Sequence, residues 1–223
     1  MKTLTGFLLA FALTASIAYS QNLLLNGNFN SPNSLSAPDN WSIWSYNGGY
    51  ANHEELTTTL NQNGHNNTGI YDGSYQMTIG QNGTGGGAGV FQIVSATAGL
   101  AYDLTVDAGA QAWWLPTGQI RLFFLDSSNN QLGLTQINTT DSIQPSTYDV
   151  GVVYQHWSIL DVVAPAGTTQ AKVEFAGYGG GSTWFDNAVL TVVPEPSTLG
   201  LAACGAALLL SRHHRFRLHA VRV

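Results

Sequence analysis

The residues best suited to chemistry in this chain are aromatic. Trp113 and Trp114 are adjacent, and Trp44, Tyr46 and Tyr50 flank a long polar stretch. Large rings bring flat apolar faces at little rotamer cost, and such faces stack on sugar rings while Asn, Gln and Asp bond the hydroxyls. Neighbouring residues on a strand point to opposite sides, so if one of Trp113 and Trp114 is core, the other is exposed or on a concave face. The competing use of tryptophan is core filling, and that is the expectation for Trp41, Trp157 and Trp184.

Bond-breaking chemistry finds little to work with. His53-Glu54-Glu55-Leu56-Thr57 begins like a zinc-protease helix, but Thr57 stands where the second histidine must be. No Gly-x-Ser-x-Gly elbow occurs between residues 21 and 193. His53, His65 and His156 lack metal-ligand spacing, and Glu54-Glu55 reads as a loop pair. Asp103 and Asp107 alternate with Tyr102, Leu104, Val106 and Ala108, which places both acids on an outward strand face. The glycines at 85–87 and 179–181 lack the strand–turn–helix setting of a phosphate loop. The expectation is a protein that is not an enzyme. A glycosidase needs only two carboxylates, which can be far apart in sequence, so a small glycoside-active enzyme is kept as an alternative.

The two ends of the chain read as addresses. Met1-Lys2, an apolar run over 4–17 and small residues at Ala18 and Ser20 form a signal peptide with cleavage before Gln21. At the other end Pro194-Glu195-Pro196 breaks the preceding strand. An uncharged apolar run over 199–210 follows, then Arg212, Arg215 and Arg217, which belong on the cytoplasmic side of a membrane. These three parts in order resemble the PEP-CTERM signal of exported bacterial proteins. The resemblance implies an exosortase-type processing protease as partner, membrane association through the C-terminal segment before processing, and a cell-surface or extracellular location. The apolar run departs from a full membrane span: twelve residues reach about 18 Å as a helix, against roughly 30 Å of hydrocarbon. The organisation expected is therefore a signal peptide at 1–20, a domain at 21–193, a sorting segment at 194–217 and a tail at 218–223.

Between these ends the charge is strongly one-sided. Residues 21–193 hold two basic side chains, Arg121 and Lys172, against twelve acidic ones, or about −10; four of the chain's seven basic residues lie beyond 210. Such a surface repels nucleic acid. The one cysteine, Cys204, lies outside the domain, which therefore has no disulfide.

Elements able to position the aromatics are strands. Segments 22–25, 74–79, 90–94, 102–108, 119–125, 131–135, 155–163, 170–177 and 183–192 combine β-formers with turn signals about every ten residues. The segment 74–79 alternates as a half-buried strand should. Residues 47–73 read as a polar loop with a hairpin around 55–60, and 83–89 as a flexible glycine loop. This pattern predicts an all-β chain, folded as a single jelly-roll β-sandwich between the signal peptide and a C-terminal hydrophobic sorting helix.

Asn22-Leu23-Leu24-Leu25-Asn26-Gly27-Asn28-Phe29-Asn30, Gly73-Ser74-Tyr75, Val90-Phe91-Gln92, Ala164-Pro165-Ala166-Gly167 and Trp184-Phe185-Asp186-Asn187-Ala188 together resemble the galactose-binding-like jelly rolls shared by several carbohydrate-binding module families. The resemblance implies association with extracellular polysaccharide, with Trp113, Trp114, Trp44 and Tyr46 as candidate contacts. It also implies a structural calcium ion at Asn30 and Asp186. Asn30 stands where the family usually has glutamate, and Asn187 where a second acid is common; fewer negative ligands weaken a hard-cation site. The competing role for Asn30 and Asp186 is to bond turn backbone. Fold analogy alone does not license a ligand, and a structural surface protein without a specific ligand is the other alternative.

Overall fold

β-branched and aromatic residues between turns form ten strands among the described residues: β1 (Ser42–Tyr46), β2 (Gly49–Glu55), β3 (Tyr75–Gln81), β4 (Gly87–Ser95), β5 (Ala101–Ala110), β6 (Thr117–Leu125), β7 (Gln131–Asn138), β8 (Gln155–Val163), β9 (Gln170–Tyr178) and β10 (Gly181–Val192). The computed structural model describes residues 21–31, 37–55, 75–81, 85–110, 117–139 and 154–194. The signal-peptide stretch, Trp113, Trp114, and the sorting residues Glu195, Pro196, Arg212, Arg215 and Arg217 lie outside the described residues.

The strands form two five-stranded sheets, ordered β1-β4-β9-β6-β7 and β2-β3-β10-β5-β8, and every neighbouring pair is antiparallel. Only β2–β3 and β6–β7 follow one another within a sheet; every other consecutive pair of strands changes sheet. That winding is a jelly roll. The chain is an all-β sandwich.

Between the sheets lie Met77, Ile79, Leu104, Val106, Val173 and Phe185, all fully buried. Four rings join in sequence: Phe29 to Trp41 at 5.1 Å, Trp41 to Phe175 at 5.7 Å and Phe175 to Phe185 at 5.0 Å. Trp41 is thus core, as expected, and Trp157 packs against the core from a half-buried position. A bulge in β10 between Asp186 and Val189, with Asn187 at φ 53°, shifts the alternation by one residue. After it Ala188 and Leu190 face inward, where Phe185 did before.

Four local expectations are corrected. The 22–25 stretch is not a ladder strand but an irregular strap. Asn26 and Phe29 have positive φ, and the strap is tied to β10 by Leu23 N to Leu190 O (2.8 Å), Ala188 N to Gly27 O (2.8 Å) and Leu190 N to Asn22 Oδ1 (2.9 Å). Gly49–Glu55 is a strand rather than loop, paired along its whole length with β3. Its inward His53 is buried, bonded through Nε2 to Phe29 O at 2.6 Å and stacked on Tyr75. The third correction is β3, which is buried on both faces rather than half-buried. Finally, Gly87 to Gly89 belong to β4.

Candidate functional site

Side chains alternate across a strand, so the sheet β1-β4-β9-β6-β7 turns one set inward and offers the other to the outside. On β1 the outward set includes Trp44 and Tyr46. These rings are nearly parallel, 12° apart with centroids at 6.1 Å. Trp44 lies opposite Gly89 and Tyr46 opposite Gly87, and Gly87 lies opposite Tyr178 of β9. The absence of side chains at these glycines sets the ring positions. A Cβ on Gly89 would stand 2.6–2.7 Å from the Trp44 indole, and one on Gly87 would stand 2.6 Å from the Tyr178 ring. The Trp44 indole therefore lies down on Gly89, while Tyr178 closes over Gly87 through its Cδ1–Cε1 edge, tilted 43° to the indole with the centroids 6.1 Å apart. Tyr46 is 48% exposed, and Trp44 and Tyr178 are half-buried. The result is an aromatic platform floored by glycine.

A polar cluster adjoins the platform. Arg121 on β6 lies opposite Glu174 on β9. Its Nη1 donates to Glu174 Oε1 at 2.6 Å, its Nη2 donates to Tyr178 Oη at 3.0 Å and to Gln119 Oε1, and its Nε donates to Gln136 Oε1 at 3.1 Å. The guanidinium carbon also sits 5.5 Å from the centre of the Tyr178 ring. Lys172 donates to the other Glu174 oxygen at 2.8 Å. The two basic residues of the 21–193 stretch thus meet on one carboxylate, whose side chain is 5% exposed. A buried carboxylate requires such partners. Gln136 passes the network on to Asn138 at 2.9 Å. Apolar stacking surface and fixed hydrogen-bonding groups stand side by side, the combination that orients a hydroxyl-rich ligand.

The opposite face, on β2-β3-β10-β5-β8, has another character. Tyr50, the third aromatic flanking the polar stretch, does not join the platform; its hydroxyl bonds Ser182 at 2.6 Å on this face. Trp184 is buried but projects outward here, on the same face as Ser182, rather than into the core. Asp107 and Asp186 oppose one another in the β5–β10 register, the pair a two-carboxylate glycosidase mechanism would draw on. They are 5% and 1% exposed. Asp107 accepts from His156 Nδ1 at 2.8 Å and from Asn187 Nδ2 at 3.1 Å, and Asp186 Oδ1 accepts from Asn187 N at 2.7 Å. Asp103 and Asp107 share the outward strand face, as expected, but they are not both solvated: Asp107 is buried in this network, while Asp103 accepts from Asp161 N at 2.7 Å beside a bulge in β8.

Of the residues expected from sequence to bind a ligand, Trp44 and Tyr46 come together and Trp113 and Trp114 fall outside the described residues. Thr117, where β6 begins after them, pairs with Tyr178. Asn30 Oδ1 accepts from Tyr75 N at 3.3 Å, so both Asn30 and Asp186 bond backbone amides. Among the described residues no group of three or more His, Cys, Asp or Glu side chains could hold a metal. Pro194 is exposed beyond the last strand, and no helix among the described residues is long and apolar enough to cross a membrane. Sequence reading missed Tyr178, the glycine floor and the Arg121–Glu174–Lys172 cluster. The available signals were Gly87-x-Gly89 and Lys172-x-Glu174, each at strand spacing.

No protein-family model matches the chain, and no curated protein matches it. Solved structures do. The enzymatically active domain of bacteriophage CBA120 tailspike protein 4 superposes with a TM-score of 0.55 at 16% identity, covering 77% of this chain and 21% of that one. The chain thus spans about a fifth of the tailspike structure, and the likeness is one of fold. TmCBM61, solved with β-1,4-galactotriose, gives 0.46 at 14% identity over 78% of this chain and 100% of that one. The C-terminal family 22 carbohydrate binding module of Clostridium thermocellum Xyn10B gives 0.43 at 15% identity, over 74% and 91%.

Proposed function

We propose that this protein is a non-catalytic β-sandwich, displayed at the cell surface or outside the cell, that associates with extracellular polysaccharide through the outer face of the β1-β4-β9-β6-β7 sheet. The observation that carries the reading is the glycine-floored platform, on which Trp44 lies flat over Gly89 with the ring of Tyr46 nearly parallel to it and Tyr178 alongside. Rings held against the sheet lose little conformational freedom when a sugar stacks on them, which favours binding. Gln119 and Gln136, held in place by Arg121, supply fixed polar groups beside them. In support of a non-catalytic role, the carboxylates of Asp107 and Asp186 on the other face are buried, and both accept hydrogen bonds from within the protein.

Export and sorting belong to the same proposal. Supporting this division of the chain, Val193 N bonds Ala101 O at 2.9 Å, and the exposed Pro194 follows directly. Replacing Pro194-Glu195-Pro196 by alanines is expected to abolish surface localisation, and unchanged localisation would remove the sorting part. The binding part is tested by electrophoresis of the full chain through gels containing single polysaccharides. Retardation by at least one supports it, and unaltered mobility in all of them leaves the structural surface-protein reading.

A further inference from the structure

Lys172 and Arg121 share Glu174, but they are spent very differently. Arg121 commits Nε, Nη1 and both Nη2 hydrogens to Gln136, Glu174, Gln119 and Tyr178. It is the structural partner of the buried carboxylate. Lys172 gives one of its three ammonium hydrogens to Glu174, and its side chain is 23% exposed. Its Nζ lies 4.2 Å from the centre of the Phe123 ring and 5.2 Å from that of Phe91. Ring faces attract an ammonium, so the charge is held in place before any ligand arrives.

The local charge balance follows. Arg121 and Glu174 cancel, leaving Lys172 as one surplus positive charge on the outer face of this sheet. Strand alternation makes Glu174 the one acid on that face among the described strand residues. Asp126, in the turn after β6, spends its carboxylate on Ser128 N, Asn130 N and Asn130 Nδ2. In a domain of about −10 this is where an anionic group can approach. Lys172, Glu174, Ala176 and Tyr178 project from β9 in one line, so along the strand Lys172 stands about 20 Å from Tyr178 and about 13 Å from the level of Trp44, which lies beside Gly89 and Ala176. A polysaccharide stacked at Trp44 and Tyr178 and running along β9 would reach it.

We infer that Lys172 is a specificity residue for a carboxylate-bearing, uronic-acid polysaccharide, with its two unspent ammonium hydrogens bonding a sugar carboxylate while Phe91 and Phe123 hold the side chain. This inference rests on the polysaccharide reading of the same face.

The test compares polygalacturonate with its methyl ester, the same polymer with its charges removed. Binding of the full chain to each is measured for the wild type, Lys172→Met and Trp44→Ala, with melting temperature as a folding control. Lys172→Met keeps an unbranched side chain between the two phenylalanines and deletes the charge. The expected result is tighter wild-type binding to polygalacturonate than to the ester. Lys172→Met should lose about tenfold or more on polygalacturonate alone, while Trp44→Ala weakens both. Added salt should narrow the gap between the two polymers. Equal wild-type binding to the two polymers, or a Lys172→Met loss that is absent or equal on both, overturns the role of Lys172 and leaves the platform standing. If neither polymer binds, the uronate inference is overturned, and the polysaccharide reading rests on the other polymers of the gel panel.

Discussion

Trp44 lies face-down on Gly89, so close that a single added methyl group would stand 2.6–2.7 Å from its indole. Gly89 is buried under that ring and paired on both sides, with Trp44 on β1 and Ala176 on β9. An interior glycine weakens a strand, and here the close approach of the ring accounts for it. Gly89→Ala should therefore lift Trp44 off the sheet, at a cost of about 1–3 kcal/mol. Polysaccharide binding should weaken by more than that stability loss explains. Denaturant melts alongside binding isotherms check this; a variant with wild-type affinity would mean that ring position does not matter.

Glu174 tests the polar cluster. Glu174→Gln removes the shared partner of Arg121 and Lys172, leaving two part-buried cations close together. Removing one member of a buried ion pair is strongly destabilising, and a loss of about 3 kcal/mol is expected in denaturant unfolding. A loss below about 1 kcal/mol would show that solvent already screens the cluster.

Acid should loosen the β6–β7 turn. The Asp126 carboxyl is held below its ordinary value of 3.8, first by the Asn130 side chain, then by the Asn130 backbone, with Ser128 backbone adding less. A lowered folded-state value means that the stabilisation is present above 3.8 and is lost as pH falls through the folded value. Amide resonances of Ser128 and Asn130 should shift in that window in the wild type and not in Asp126→Asn. Identical titrations in the two proteins would contradict the assignment.

A structural calcium held by Asn30 and Asp186 predicts a melting temperature that rises in millimolar calcium and falls with chelator, with both responses lost in Asp186→Asn. Melting indifferent to calcium and to chelator would leave these residues with the backbone-bonding role that their hydrogen bonds already show.

How much of this was legible in the sequence depended on range. β-forming residues between turn signals marked β5, β6, β8, β9 and β10, and in β5 the alternation of Tyr102, Leu104, Val106 and Ala108 with polar residues also told which face meets the core. β2 escaped because Asn52, His53 and Glu54 are polar in succession; the inward His53 is satisfied by Phe29 O, a contact between residues far apart in sequence. The opening strap resembled a strand in composition, but Asn26 and Phe29 adopt left-handed φ. Trp44 and Tyr46 could be named as candidates from type alone. Their partner Tyr178 could not, because it joins them only through the β1–β4–β9 register. The convergence of Arg121 and Lys172 on Glu174 likewise needs the pairing of β6 with β9.

The most direct test of the central claim measures binding of the full chain to whichever polysaccharide retards it most, comparing Trp44→Ala and Tyr178→Ala with Asn52→Ala, an exposed residue of the opposite sheet. The platform predicts a loss of about tenfold or more for each aromatic variant, about 1.4 kcal/mol, in the range seen when an aromatic anchor of a binding surface is truncated, and wild-type affinity for Asn52→Ala. Full affinity in Trp44→Ala and Tyr178→Ala would contradict it.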